Sequence, residues 1–421
     1  MNKVKLSQLA ETLIASEIVR LGATIKEKIS NGEQVYNFTV GDFDPAIFPI
    51  PTQLKDNINE AYQDGYTNYP SAEGEADLRA AISVFIEKNE DISYDASEIL
   101  VSAGGRPLIY ATYRAIVDKG DKVVYPIPSW NNNHYVHFTE GEHIMVEATE
   151  ENNFMPTADQ LAPLLSGATL LALCSPLNPT GTTFTKDELE KICDLVIAEN
   201  DKRPAGEKKL YLMYDQIYWT LTHGDTKHYN PVSLRPAMKP YTIFIDGISK
   251  AFAATGVRVG WALAPAELIL KMRGISSHIG CWAPMAEQKA TAKFLNDEAA
   301  VTEYLHHFKG QLSEILSGIY DGFMSLKEEG FSVNAIAPQA AIYLTVMIDL
   351  VGKTTVSGNL LDTQQAVTTY ILDEAQLALV PFSSFGASKE SAWYRLSVGR
   401  CNKSEIPEML GKLESALTRL K

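Results

Sequence analysis

Thr242-Ile-Phe-Ile-Asp-Gly-Ile-Ser-Lys250-Ala-Phe-Ala-Ala-Thr-Gly-Val-Arg258-Val-Gly260 opens as a short apolar strand at 242–245 and then changes character. Lys250 follows among Ser249, Ala251, Phe252, Ala253 and Ala254, surroundings in which desolvation favours the neutral, nucleophilic amine. Most lysines are solvated surface charges, and a single lysine after a strand would be read as one of them. Arg258, eight residues on, changes the balance. Gly256 and Gly260 flank it and permit close approach of a planar donor suited to bidentate phosphate contact.

Outward from this stretch, from about residue 75, helical periodicity alternates with short apolar runs ending in Gly, Pro, Asn or Asp. That is the pattern of an α/β domain around a parallel sheet. The candidate strands are 99–102, 122–125, 144–147, 170–174, 210–214 and 242–245. Between two of them Thr185 and Glu188 predict a capping box, followed by Leu189, Ile192, Cys193, Val196 and Ile197 on one helical face. A long helical pattern at 305–326 leads toward a second domain. Strand-like runs at 341–348 and 393–398 and an amphipathic stretch at 409–420 complete it.

In an open α/β sheet the ligand crevice lies beyond the carboxyl ends of the strands. Five ends carry suggestive groups: Gly104-Gly105-Arg106-Pro107, Pro128-Ser129-Trp130, Asn178-Pro179-Thr180-Gly181, Asp215-Gln216-Ile217-Tyr218, and Ser249-Lys250 with Arg258. Gly-Gly before Pro107 commonly marks a turn, but here it opens a helix whose first N–H groups favour a phosphate. Asp215 reads either as a turn aspartate or as a buried anion that keeps a heteroaromatic nitrogen protonated, with Tyr218 supplying a phenol nearby. Asn178 suits a turn and also donation to a ligand oxygen. Trp130 suits a core position or stacking on a planar ring.

The 421 residues suit two domains. A composition of 45% hydrophobic and 21% charged residues is that of an ordinary soluble protein. Thirty-seven basic against fifty-two acidic residues give a net charge of -15, which disfavours nucleic acid and anionic membranes. An anionic small molecule then needs a local cationic site. Cys174, Cys193, Cys281 and Cys401 lie far apart with no metal or disulfide spacing, so no metal is expected and a reducing cytoplasm fits. The stretch up to Arg20 lacks a signal-peptide core, and no run is long enough to span a bilayer.

Taken in order, Tyr69-Pro-Ser-Ala-Glu-Gly74, Gly104-Gly105-Arg106, Pro128-Ser-Trp130, Asn178-Pro-Thr-Gly181, Asp215-Gln-Ile-Tyr218, Ser249-Lys250 to Arg258-Val-Gly260 and Arg395-Leu-Ser397 resemble the class I/II aminotransferases, over residues 41–397. The resemblance implies the fold type I of pyridoxal 5'-phosphate enzymes. This comprises a large domain (52–300) holding a mostly parallel seven-stranded sheet, and a smaller α/β domain formed by 1–51 and 301–421. It implies a homodimer with shared active sites. On the same basis Lys250 holds the cofactor as a Schiff base, Asp215 pairs with its ring nitrogen, and Asn178 and Tyr218 bond its phenolic oxygen. Trp130 stacks on the ring. Gly104, Gly105, Arg106, Ser249 and Arg258 belong to the cofactor site, Tyr69 reaches the phosphate of the neighbouring subunit, and Gly41 and Arg395 meet the substrate α-carboxylate.

Four positions depart from the commoner pattern. Gly247 stands where many members have a phosphate-binding serine, leaving Ser249 or backbone groups for that bond. Gln216 replaces the usual glutamate, Val257 replaces a frequent aromatic, and Phe382 replaces a glycine after Pro381, near the substrate side. The expected reaction is a ping-pong transfer of an amino group from an L-amino acid to a 2-oxo acid, 2-oxoglutarate by family resemblance, with an aspartate aminotransferase-like enzyme as one reading and aromatic or other neutral amino acids open as donors. Freed Lys250 shuttles the α-proton. A carbon-sulfur β-lyase has the same cofactor residues, and a non-catalytic sensor is the alternative from another class. A nicotinamide dehydrogenase is disfavoured by the missing G-x-G-x-x-G after the first strand.

Overall fold

The computed structural model describes residues 5–13 and 17–421. Residues 1–4 and 14–16, part of the N-terminal stretch read above for a signal peptide, lie outside the described residues. Among the described residues thirteen strands follow one another: β1 (Tyr36–Asn37), β2 (Ile99–Ser102), β3 (Lys122–Ile127), β4 (Glu142–Glu147), β5 (Ala168–Cys174), β6 (Tyr211–Asp215), β7 (Thr242–Gly247), β8 (Gly260–Leu263), β9 (Val333–Ala335), β10 (Tyr343–Ile348), β11 (Leu377–Ala378), β12 (Val380–Pro381) and β13 (Trp393–Ser397).

Seven of these form one sheet in the order β2-β8-β7-β6-β5-β3-β4. β8 runs antiparallel to both neighbours and the remaining pairs are parallel, so the other six strands end on one edge. The expected mostly parallel sheet is present, and β8 is the strand the apolar pattern did not single out. Its four residues, Gly-Trp-Ala-Leu, are too few to show alternation.

Both faces of the sheet are covered, which is why its central strands read as unbroken apolar runs. Leu171, Leu173, Leu212 and Phe244 pack with Leu78 and Ile82 of helix Ala76–Glu90 and Leu189 and Ile192 of helix Lys186–Lys202. Leu170, Ala172, Met213 and Ile243 face the other way, onto Leu108 of helix Gly105–Ile116 and Met272 of helix Ala266–Ile279. The predicted capping box at Thr185 is half formed. Thr185 caps the Glu188 N–H, but Glu188 turns to the Ala158 N–H and to Lys191 rather than back to Thr185.

A second core gathers on the 31-residue helix Glu298–Glu328. Leu312, Leu316 and Ile319 of that helix meet Leu344 and Val346 of β10 and Met409 and Leu413 of the closing helix Ile406–Thr418. A four-stranded antiparallel sheet, β12-β13-β10-β9, lies here. The N-terminal segment joins the same core: Tyr36, Phe38 and Phe43 are in it, and β1 pairs with β11. No helix among the described residues is long and apolar enough to cross a membrane.

Candidate active site

The carboxyl edge of the large sheet and the N-terminal segment enclose a cavity of about 660 Å³, a size that suits a cofactor with a small substrate. Lys250 stands in the four-residue helix Ile248–Ala251, directly after β7. Its Nζ donates to the Gly41 carbonyl at 2.6 Å and lies 5.9 Å from the Tyr218 ring centre. Burial pushes this amine down to about 8, and Asp42 opposes the fall while Arg395, Arg106 and Arg258 deepen it.

Asp215 is the last residue of β6 and opens on the cavity. Burial pushes its carboxyl up to about 6 against a hydrogen bond from the Ile217 N–H at 3.1 Å, and no cation among the described residues offsets that burial. Such a carboxyl is a poor surface group and a good partner for a cationic ring nitrogen. Tyr218, three residues on, shares a 2.6 Å hydroxyl contact with Tyr343 of β10.

Arg395 is carried by β13 and is 2% exposed. Its Nη1 donates to Asn178 Oδ1 at 3.0 Å and its Nη2 to the Thr39 carbonyl at 2.6 Å, while its buried Nε has no partner among the described residues. The guanidinium lies 4.9 Å from the ring centres of both Tyr343 and Phe385. An unpaired donor on a buried cation marks a place where an anion would be welcome.

At the other end Arg258 sits in the left-handed region with φ of 63°, a conformation that non-glycine residues rarely hold. Two bonds fix it there, Nη1 to the Thr255 carbonyl and Nη2 to the Ala103 carbonyl, both 2.7 Å. Gly104 has φ of 88°, and a Cβ on it would stand 2.5 Å from Arg258 Nη2. Gly105 begins the 12-residue helix Gly105–Ile116, whose first N–H groups have no intrahelical acceptor. Arg106 lies 5.4 Å over Trp130, which also contacts Phe385.

The departures from the family pattern find physical reasons here. At Gly247 a Cβ would lie 2.7 Å from the Cα of Gly260 on the neighbouring strand, so a serine has no room. Ser249 lines the cavity in its stead. Phe382, expected near the substrate side, is fully buried against Phe154 at 5.0 Å and does not line the cavity; Phe385 faces Arg395 and Trp130. Val257 is packed on the large core.

Gly41, Gly105, Arg106, Trp130, Asn178, Asp215, Tyr218, Ser249, Lys250, Arg258 and Arg395 all line the one cavity, and Gly104 abuts Arg258 behind it. Tyr69 does not: it is 82% exposed on the surface, with its ring 5.3 Å from that of Trp282. Tyr343, Thr39 and Asp42 were not singled out in the sequence. Asp42 directly follows Gly41, and Tyr343 lies in the strand-like run at 341–348, where its hydroxyl was the available signal.

Residues 33–413 match the family described as aminotransferase class I and II. The aspartate aminotransferase of Bacillus sp. (strain YM-2) is 29% identical over 388 residues, 91% of this chain and 93% of the relative. A probable aspartate/prephenate aminotransferase of Rickettsia felis (strain ATCC VR-1525 / URRWXCal2) is 30% identical over 373 residues, 88% of this chain and 86% of that one. The crystal structure of the aspartate aminotransferase from Rhizobium meliloti superposes with a TM-score of 0.88 at 25% identity, covering 99% of this chain and 100% of the other. The architecture is accordingly the fold type I of pyridoxal-phosphate enzymes. With a match spanning both cores and every strand end at the cavity, the chain belongs to the class I and II aminotransferases.

Proposed function

We propose that this pyridoxal-phosphate-dependent aminotransferase holds its cofactor at Lys250 and passes an amino group from an L-amino acid, aspartate in the first instance, to 2-oxoglutarate. The observation that carries the assignment is Lys250 itself. Its amine points into the cavity, is pushed down to about 8, and stands in a site that also contains Asp215 and Arg395. Aspartate as donor is supported by the names of the relatives.

The residues fit the cofactor. Arg258, the first turn of helix Gly105–Ile116 and Ser249 supply donors for a phosphate, and Arg106 adds a cation beside them. Asp215 offers an otherwise uncompensated carboxyl to the ring nitrogen, Asn178 and Tyr218 offer donors to the phenolic oxygen, and Trp130 offers a face to the ring. When bound, pyridoxal phosphate supplies an electron sink for the pair left behind as the α-proton departs.

The protein's own part is positional and acid-base. Arg395 clamps the substrate α-carboxylate, and Gly41 lines the same cavity. Lys250 Nζ would take the substrate α-proton and give it back on the same face of the site; an amine near 8 is suited to both directions at neutral pH. Tyr343 holds the Tyr218 hydroxyl in place. We further assign residues 52–300 to a large domain and 1–51 with 301–421 to a small one, and infer a homodimer in which exposed Tyr69 reaches the partner's site.

A single-turnover experiment tests the reaction type. Cofactor-loaded enzyme mixed with excess aspartate and no acceptor should release one equivalent of 2-oxo acid and no ammonia, and adding 2-oxoglutarate should restart it. Continuous release of ammonia without acceptor would identify a lyase instead, and no reaction with any amino acid would leave a sensor.

A further inference from the structure

Behind Asp215, on the side away from the cavity, three polar side chains are buried with no cation beside them among the described residues. Gln216 is fully buried, Asp246 of β7 is 1% exposed and Glu90, the last residue of helix Ala76–Glu90, is 6% exposed. The Gln216 amide donates to Glu90 Oε1 at 2.5 Å and lies against the Asp246 carboxyl as well. Asn230 Nδ2 reaches Glu90 Oε2 at 3.2 Å. Asp246 accepts from the Gly247 N–H at 2.7 Å and from Trp219 Nε1 at 2.8 Å.

One atom does not fit this arrangement. The Gln216 side-chain oxygen is buried with no donor among the described residues, although the side chain lies between the Glu90 and Asp246 carboxyl groups. An orphaned buried acceptor is destabilising, because it has given up its bonds to water without replacement. Interchanging the amide oxygen and nitrogen, which are alike in shape, removes the fault if Glu90 carries a proton. Glu90 then donates to the Gln216 oxygen, and the Gln216 nitrogen donates to Asp246.

We infer that Glu90 is a buried carboxylic acid that donates its proton to Gln216, and that the chain Glu90, Gln216, Asp246 is a positioning device for the residues of the active site. The surroundings agree. Burial and the neighbouring Asp246 both push Glu90 upward. Burial pushes Asp246 up as well, to about 8, but Asp246 accepts from the Gly247 and Trp219 N–H groups, which favour it as the acceptor of the pair. The other titratable groups facing the chain supply no positive charge: His228, 3.7 Å from Glu90, is pushed down to about 3 by burial, and the phenols of Tyr94 and Tyr214 are pushed up. Asp215 adds a further carboxyl in front. A second anion at Glu90 would therefore face only acids and neutral groups.

The chain's ends show what it positions. Gln216 follows Asp215 directly, Trp219 follows Tyr218, and Gly247 opens the turn that leads to Lys250. A proton on Glu90 thus ties the end of one helix to both segments that carry the proposed cofactor contacts. The significance for catalysis rests on the roles proposed above for Asp215, Tyr218 and Lys250, whereas the protonation itself does not.

Infrared spectroscopy of the full, cofactor-loaded chain tests it without using activity. At neutral pH we expect the carbonyl stretch of a protonated carboxyl. It should shift when the protein is labelled with carboxyl-isotope glutamate but not aspartate, since Glu90 is the buried glutamate of the described residues. The band should vanish in Glu90→Gln. That variant, being neutral, should keep kcat within about twofold, while Glu90→Ala should lower kcat about tenfold with little change in KM. Absence of a glutamate-shifted band in the wild type, or a Glu90→Gln variant as impaired as Glu90→Ala, would overturn the inference. If neither variant folds, the labelled wild type still decides.

Discussion

The reactivity of Lys250 before any cofactor is present can be worked out from its surroundings. An ordinary lysine amine, near 10.5, is only about 0.03% neutral at pH 7, whereas one at about 8 is roughly 10% neutral, an increase of about three-hundredfold. The shift corresponds to about 3 kcal/mol, and its largest cause is burial, with the three arginines adding to it and Asp42 acting against it. The cofactor-free protein should therefore capture added pyridoxal phosphate at Lys250 about three-hundredfold faster than a short peptide containing one lysine. Trapping with borohydride at a series of pH values, followed by peptide mapping, measures this. The rate at Lys250 should rise tenfold per pH unit below about 8 and level off above it, while that of the peptide control goes on rising. In Asp42→Asn the levelling should begin at lower pH, because the carboxylate that favours the ammonium is gone. A rate that climbs steadily to pH 10, as for an exposed lysine, would refute the reasoning, and so would an Asp42→Asn profile displaced to higher pH.

Three other substitutions have expected outcomes. Arg395→Lys keeps a charge but cannot span Asn178 Oδ1, the Thr39 carbonyl and a carboxylate together; losing one charge-assisted bond at about 1.5–3 kcal/mol should lower kcat/KM for aspartate about ten- to hundredfold in steady-state assays. Asp215→Asn should abolish transamination yet stabilise the cofactor-free protein. A carboxyl raised from 3.8 to about 6 gives stability that is complete below the unfolded value and lost as pH rises through 6, so the variant should gain up to about 3 kcal/mol at pH 7 and nothing at pH 3 in urea denaturation. Gly104→Ala forces a Cβ onto a residue with φ of 88° and onto Arg258 Nη2, and should weaken cofactor binding by about tenfold or more, read by equilibrium dialysis, for a strain of about 1–2 kcal/mol.

Much of the site was legible because its residues sit where strands end. Lys250, Asp215 and Asn178 each follow an apolar run, and a run's end can be read from one sequence. β8 was not legible, since three apolar residues after a glycine resemble a loop as much as a strand. Nor was the pairing of Tyr218 with Tyr343, which lie 125 positions apart and meet only because β10 of the second core faces the end of β6. Phe382 and Phe385 illustrate the same limit at short range. Both are apolar and both are buried, and only the turn at 382–385 decides which one faces Arg395. The half-formed cap at Thr185 failed for a comparable reason: Glu188 found the Ala158 N–H, a donor 30 residues away in sequence.

The most direct test of the central claim is the visible absorption of the purified chain loaded with pyridoxal phosphate, recorded for the wild type and for Lys250→Ala before and after aspartate. The wild type should show the band of lysine-bound cofactor, and aspartate should convert it to the amino form; Lys250→Ala should show no such band and no turnover. A wild type without that band, or an alanine variant that turns over as fast as the wild type, would contradict the assignment of Lys250.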